Sequence, residues 1–266
     1  MFLWEPHLQQ LNVTLAYYPR ENNMELQKKI LSVRFCNHTS LKMKFFQINM
    51  MALFIMAMCF SGSWADDTGW KKIGESNGIV GYTRPSTKSS VDQMKGVGII
   101  EAPVAAIEAL LRDAPAGTEY MYKCKESSIV NTPELKNTTD SKHFYNVTSM
   151  PYPVSDRDVV GKGEWSIDKA TGTLYFHAEG IKSDYKMDKK KVRMPILIAD
   201  YILVPKGPDK TEVTYVALAD PGGNLPSFVV NLLTKNLSIQ TIAGMREMVK
   251  KDKYRNVRAV VTTTPH

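Results

Sequence analysis

The sequence predicts an α+β fold in which an antiparallel sheet meets one unusually long terminal helix. Three observations predict it. Short β-branched and aromatic runs recur from residue 78 onward, turn clusters separate them, and an amphipathic helix closes the chain. No repeat and no Pro/Gly/Ser-rich linker divides residues 66–266, so they are expected to form a single domain.

Taken in order, Gly78–Arg84 and Val91–Ile100 carry the first strand patterns, after a polar stretch around Trp70. Ala102–Arg112 is a helix: Pro103 falls in its first turn, and Val104, Ile107, Leu110 and Leu111 share a face. Further strands are expected at Tyr120–Lys125, Lys142–Ser149, Val159–Ile167, Thr173–Gly180, Val192–Pro205 and Thr211–Ala219. The turn clusters Asp168–Gly172 and Lys206–Lys210 make hairpins of their flanking strands. The closing helix runs from Leu225 to about Lys251, roughly 40 Å long. Asn224 is placed to cap it and Pro226 lies in its first turn. Phe228, Leu232, Ile239, Ile242 and Val249 form its apolar stripe, which Val229, Leu233, Leu237 and Met245 widen. The sheet is expected to grip this helix.

Residues 1–65 read differently. Lys42 and Lys44 precede the apolar run Ile48–Phe60, and Ser63-Trp64-Ala65 follows it as a small-x-small site. The run is short for a membrane span of about 20 residues. Residues 43–65 are therefore expected to be a signal peptide starting at Met43, and 1–42 an unstructured upstream extension. The alternative is an uncleaved membrane anchor. Cleavage would leave a periplasmic or secreted chain beginning at Asp66, with Cys124 as its sole cysteine and so no internal disulfide. That thiol suits a small buried side chain better than a nucleophile.

Charge narrows the partners. Lys and Arg total 34 against 27 Asp and Glu, a net +7. Six basic and three acidic residues lie within 1–65, which leaves 28 against 24 over the remaining 201. So thin an excess does not predict a nucleic-acid partner. No phosphate loop, Gly-x-Ser-x-Gly elbow or metal-ligand cluster is present, and no cofactor is expected.

Three segments carry a family resemblance: Met150–Val160 (MPYPVSDRDVV), Val192-Arg193, and Ala219–Pro226 (ADPGGNLP). Together they resemble the START (StAR-related lipid-transfer) family. The closest likeness is to its phosphatidylcholine-transfer branch, which Asp220–Val249 follows in order. The resemblance covers nearly all of 68–254. It implies the helix-grip fold, an apolar tunnel closed by the terminal helix, and a lipid ligand carried between membrane surfaces by a monomer. Each buried CH₂ of such a ligand is worth about 0.8 kcal/mol, so the tunnel must be lined by aliphatic and aromatic groups.

The expected lining comprises Val159, Trp165, Tyr175, Phe176, Met194, Ile196, Ile198, Tyr201, Val216 and Leu218 from strands. Phe228, Leu232, Ile239 and Ile242 join it from the helix; a dry core made of the same residues is the alternative. Arg157 and Arg193 are candidate ligand contacts. Arg157 either holds a lipid phosphate or pins Pro151–Val160 through an ion pair with Asp158, and the second role is favoured. The resemblance implies an aromatic cage for choline in the phosphatidylcholine-specific branch. Counted from Arg157-Asp158 and from Arg193, its positions fall on Asn146, Val159 and Leu197, none aromatic. Tyr145, Tyr175 or Tyr201 could rebuild part of such a cage. The acid–arginine pair of sterol carriers would fall on Phe144 and Gly163, so the lipid class stays open. The basic run Lys186–Arg193 is either a solvated turn or a dock for anionic headgroups. An enzyme of related fold, using His177 or Glu179 as base on a hydrophobic substrate, is the alternative function.

Overall fold

The structure is a computed structural model that describes residues 69–223, 225 and 227–266. The expected extension, signal peptide and cleavage site, Asn224 and Pro226 lie outside the described residues. Ten strands form one sheet: β1 (Lys71–Ser76), β2 (Ile79–Arg84), β3 (Gln93–Ile100), β4 (Cys124–Val130), β5 (Ser141–Thr148), β6 (Arg157–Asp168), β7 (Thr173–Gly180), β8 (Val192–Arg193), β9 (Ile196–Pro205) and β10 (Thr211–Asp220). Their order is β1-β2-β3-β10-β9-β7-β6-β5-β4, antiparallel throughout, with β8 added to β6 in parallel. Among the described residues the helices are α1 (Val104–Arg112), α2 (Gly117–Tyr120), α3 (Ser227–Met248) and α4 (Asp252–Arg255). The α+β helix-grip expectation holds.

Most strands fall where alternation placed them, and Thr173–Gly180 matches residue for residue. Three segments differ. The expected strand at Tyr120–Lys125 is displaced: Tyr120 ends α2 and is buried there, and β4 begins only at Cys124. Val192–Pro205 is two strands, because Pro195 has no N–H for the ladder and β9 starts after it. Lys71–Ser76 is an edge strand, though its exposed, polar side chains show no apolar alternation.

Helix α3 lies on β2 and β3. Its approach depends on missing side chains: a Cβ on Gly81 would stand 2.8 Å from Ile239 Cδ1, and one on Gly96 3.0 Å from Ile242 Cδ1. Polar contacts hold its C-terminal half, where Arg246 Nε donates to the Ile99 carbonyl (2.8 Å) and the Tyr122 N–H donates to Thr241 Oγ1 (3.3 Å). Ile239, Ile242, Met245 and Val249 are buried. A smaller cluster of Val130, Tyr145, Val147 and Val160 sits on the other face, against Ile181 and Tyr185.

Candidate functional site

The inner face is organised in rungs that cross the sheet. In one rung the register runs Trp165–Phe176–Tyr201–Tyr215–Gly96–Gly81–Gly74. Its four aromatic rings follow one another with centroids 4.5, 5.8 and 4.4 Å apart. The next rung is Gly163–Ala178–Ala199–Ala217. Small side chains beside a wall of rings leave a cavity of about 110 Å³. Phe144, Asn146 and Leu197 extend it along the strands, and Leu111, Ala114 and Met121 of the α1–α2 segment roof it. A second chamber of about 50 Å³ lies under α3, between Met94, Met150, Met194, Leu233 and Leu237.

This interior is strongly apolar. Burial pushes the Tyr215 phenol up to about 12, and burial likewise raises Tyr120 and Tyr201. These hydroxyls stay neutral at physiological pH. Two polar atoms in the cavity wall are buried without a hydrogen-bond partner: Asn146 Oδ1 and Trp165 Nε1.

Of the expected lining, Trp165, Phe176 and Tyr201 face the cavity, and Met194 faces the second chamber. Val159 is buried on the inner face opposite Asn146; a Cβ on Gly180 would touch both Val159 Cγ2 (3.4 Å) and Leu197 Cβ (3.5 Å). Tyr175, Ile196, Ile198, Val216 and Leu218 do not line it. Side chains alternate along a strand, so Tyr175 points away from the face that Phe176 occupies, and β9 and β10 sort the others likewise. Ile239 and Ile242 pack on glycines rather than on either chamber. The side chains of Phe228 and Leu232 are outside the described ones. The residues missed, Ala178, Ala199 and Leu197, follow from the same alternation once Phe176 and Tyr201 are set inward.

Both arginines serve the frame. Arg157 is buried, and donates to the carbonyls of Pro221 (Nε, 3.0 Å), Gly222 (Nη2, 3.1 Å) and Ser155 (Nη1, 2.5 Å). It does not pair with Asp158, contrary to expectation. Asp158 instead accepts from Arg193 Nε (2.9 Å) and Nη2 (3.1 Å) and from the Tyr145 hydroxyl (3.1 Å). Arg193 also donates to the carbonyls of Ser183 and Tyr185, so it fixes the β7–β8 connection on the outer side. Gly222 and Gly223 have φ of +64° and +71°, the left-handed turn that carries the chain from β10 towards α3. Arg157 therefore clamps the tether of the terminal helix.

A larger groove of about 690 Å³ lies on the outer face, floored by Tyr175, His177, Asp200 and Val216. His177 Nδ1 meets Asp200 Oδ1 at 2.6 Å, and the His266 ring lies 4.1 Å from that of Tyr175. The groove carries the carboxylates of Asp140, Glu164 and Asp200, whereas among the described residues no carboxylate lines the inner cavity. His177 and Glu179 share this outer face, so neither reaches a substrate held inside.

An antiparallel sheet whose inner face seats a terminal helix at one end and encloses an apolar cavity at the other belongs to the helix-grip class of ligand-binding folds. Within that class the chain belongs to the START domain family, whose model matches residues 56–255. It is 31% identical over 183 residues to an uncharacterised protein of Pseudomonas aeruginosa, an alignment that covers 68% of this chain and 87% of that one. START domain-containing protein 10 of Homo sapiens is 26% identical over 141 residues, 50% of this chain and 48% of that protein. Among solved structures, a STAR-related lipid transfer protein fragment from Xanthomonas axonopodis superposes with a TM-score of 0.61 at 27% identity, covering 69% of this chain and 99% of that one. Human STARD10 superposes with a TM-score of 0.60 at 20% identity, covering 73% and 78%, a likeness of fold.

Proposed function

We propose that this protein binds a lipid with its hydrocarbon in the inner cavity, and carries it between membranes or presents it at one. The observation that carries this is the pairing of an aromatic rung with a rung of alanine and glycine, roofed by α1 and α2. Most of that wall is hydrocarbon and aromatic, and each CH₂ buried there is worth about 0.8 kcal/mol. The chambers of about 110 and 50 Å³ are smaller than the several hundred cubic ångströms of a usual ligand site. Loading therefore requires the walls to part. The methionines of the second chamber, flexible and unbranched, suit a wall that re-forms around a chain.

The family and the Xanthomonas relative support carriage over catalysis, and the outer position of His177 and Glu179 removes the bases an enzyme acting inside would use. No cofactor is required. Membrane contact belongs to the Lys186–Arg193 turn. There Met187 is exposed beside Lys189 and Lys190, while Lys186 pairs with Glu126 and Arg193 with Asp158. Lys191 pairs with Asp188 (3.3 Å), and each lysine brought to an anionic surface adds about 1 kcal/mol. The apolar run ahead of Asp66 supports export, with a mature N-terminus at Asp66; N-terminal sequencing that finds Met1 or Met43 on a membrane-bound form would refute it. Lipid extracted from the purified protein, together with transfer of a fluorescent phospholipid between donor and acceptor vesicles, tests carriage. Protein that is empty and inactive in transfer contradicts it.

A further inference from the structure

We infer that the ligand's polar end carries at least one O–H or N–H donor and is anchored by Asn146, so the site selects against a quaternary ammonium headgroup. This rests on the lipid-carrying reading and specifies its ligand class. Asn146 Oδ1 is buried in the cavity wall without a partner. A buried acceptor left unpaired costs about 1–3 kcal/mol, so a donor is expected to meet it when the site is filled.

The surroundings identify that end as the polar one. Ser127 stands directly opposite Asn146 in the β4–β5 register, and it lines the same cavity. Val159 faces Asn146 on the other side, and Leu197 completes the corner. Along β6, Val159 is six residues from Trp165 of the aromatic rung, about 20 Å at roughly 3.3 Å per residue. The cavity thus has an unpaired amide acceptor and a hydroxyl at one end, while the unpaired buried atom at the aromatic end, Trp165 Nε1, is a donor. A ligand's O–H or N–H donor is therefore met at the Asn146 end.

The corner also lacks what a choline group needs. A trimethylammonium has no N–H to give Asn146, and it is stabilised by aromatic faces, which Asn146, Ser127, Val159 and Leu197 do not supply. A primary, secondary or tertiary ammonium, or a hydroxyl, supplies the missing donor.

The test uses vesicles holding equal amounts of dioleoyl phosphatidylethanolamine, its N-methyl and N,N-dimethyl derivatives, dioleoyl phosphatidylcholine and dioleoyl phosphatidylglycerol. The purified protein is incubated with them, and its bound lipid is quantified by mass spectrometry. At least one donor-bearing lipid should exceed phosphatidylcholine about tenfold, the equivalent of one good hydrogen bond at 1.4 kcal/mol per decade. Within the ethanolamine series the fall should come at the last methyl, where the final N–H is lost. Asn146→Leu should bind lipid yet lose the discrimination. Equal uptake of all five lipids, a decline graded evenly with each methyl, or a preference unchanged in Asn146→Leu would each overturn the inference while leaving carriage intact. Should Asn146→Leu fail to fold, the methyl series on the wild-type protein decides alone. Protein that takes no lipid from any vesicle would instead overturn the carriage reading.

Discussion

A single rung of the sheet reads Gly74, Gly81 and Gly96 on one side and Tyr215, Tyr201, Phe176 and Trp165 on the other. The glycine half has no side chains to offer, and α3 fills the vacancy with Ile239 and Ile242. The aromatic half has no helix of that length above it; its rings stand beside alanines and enclose the cavity. The same backbone ladder therefore makes a dry helix–sheet joint at one end and a ligand chamber at the other. Residue size, not strand geometry, decides which.

The strongest way to break the comparison is to put side chains into the glycine half. Gly96→Val would press on Ile242 and on the Ser238 carbonyl, only 3.1 Å from the added Cβ. A loss of about 3 kcal/mol is expected, at the upper end of overpacking costs, read by denaturant unfolding. A loss under 0.5 kcal/mol would show that α3 does not depend on this close approach. Next comes the clamp. Arg157→Ala leaves the Pro221 and Gly222 carbonyls without that donor, at a cost of about 2 kcal/mol. Because those carbonyls belong to the tether of α3, lipid exchange between vesicles should also accelerate; unchanged stability with weakened phospholipid binding would return Arg157 to the ligand. A disulfide tying α3 to a facing strand should act in the opposite direction, slowing exchange many-fold when oxidised and sparing the affinity for lipid already bound. Equal oxidised and reduced rates would make Gly222-Gly223 a plain turn.

Two smaller effects sharpen the picture. Asp113 is half-buried, which raises its pKa, but hydrogen bonds from Lys253 and Tyr254 outweigh that desolvation and leave it below its ordinary value. A carboxyl with a depressed folded pKa contributes stability above its unfolded pKa, near 3.9, and loses it as pH falls through the folded value. Asp113→Asn should therefore flatten the acid limb of the stability curve below about pH 4; an unchanged limb would mean that the α1–α4 clasp is not what titrates. Burial raises the Cys124 thiol to about 11, so its alkylation at pH 7.5 should be on the order of a hundredfold slower than that of a free thiol until the protein is unfolded.

Much of this was legible in the residues. Period-two alternation and the Asp168–Gly172 and Lys206–Lys210 turns gave the central hairpins, and the stripe from Ile239 to Val249 gave the gripped helix. The cavity was half legible. Tyr175 and Phe176 are equally aromatic, and composition cannot say which of two neighbours turns inward; only the register can. Alanines at 178 and 199 look unremarkable in sequence, because a cavity is made of absent volume. The partners of Arg157 and Asp158 were hidden for a different reason. Arg157 bonds backbone carbonyls some 65 positions away, and Asp158 bonds Arg193 across a connection whose path no local pattern encodes.

The central claim is that lipid occupies the inner cavity of the sheet and not the groove on its outer face. Native mass spectrometry of protein equilibrated with phospholipid vesicles tests this on two matched variants. Ala199→Phe fills the inner cavity, while Val216→Phe adds the same ring to the outer groove. The expected result is one lipid bound to the wild-type and Val216→Phe proteins, and none to Ala199→Phe at an unchanged far-ultraviolet circular dichroism spectrum. Full lipid occupancy in Ala199→Phe, or its loss in Val216→Phe, would contradict the assignment of the cavity.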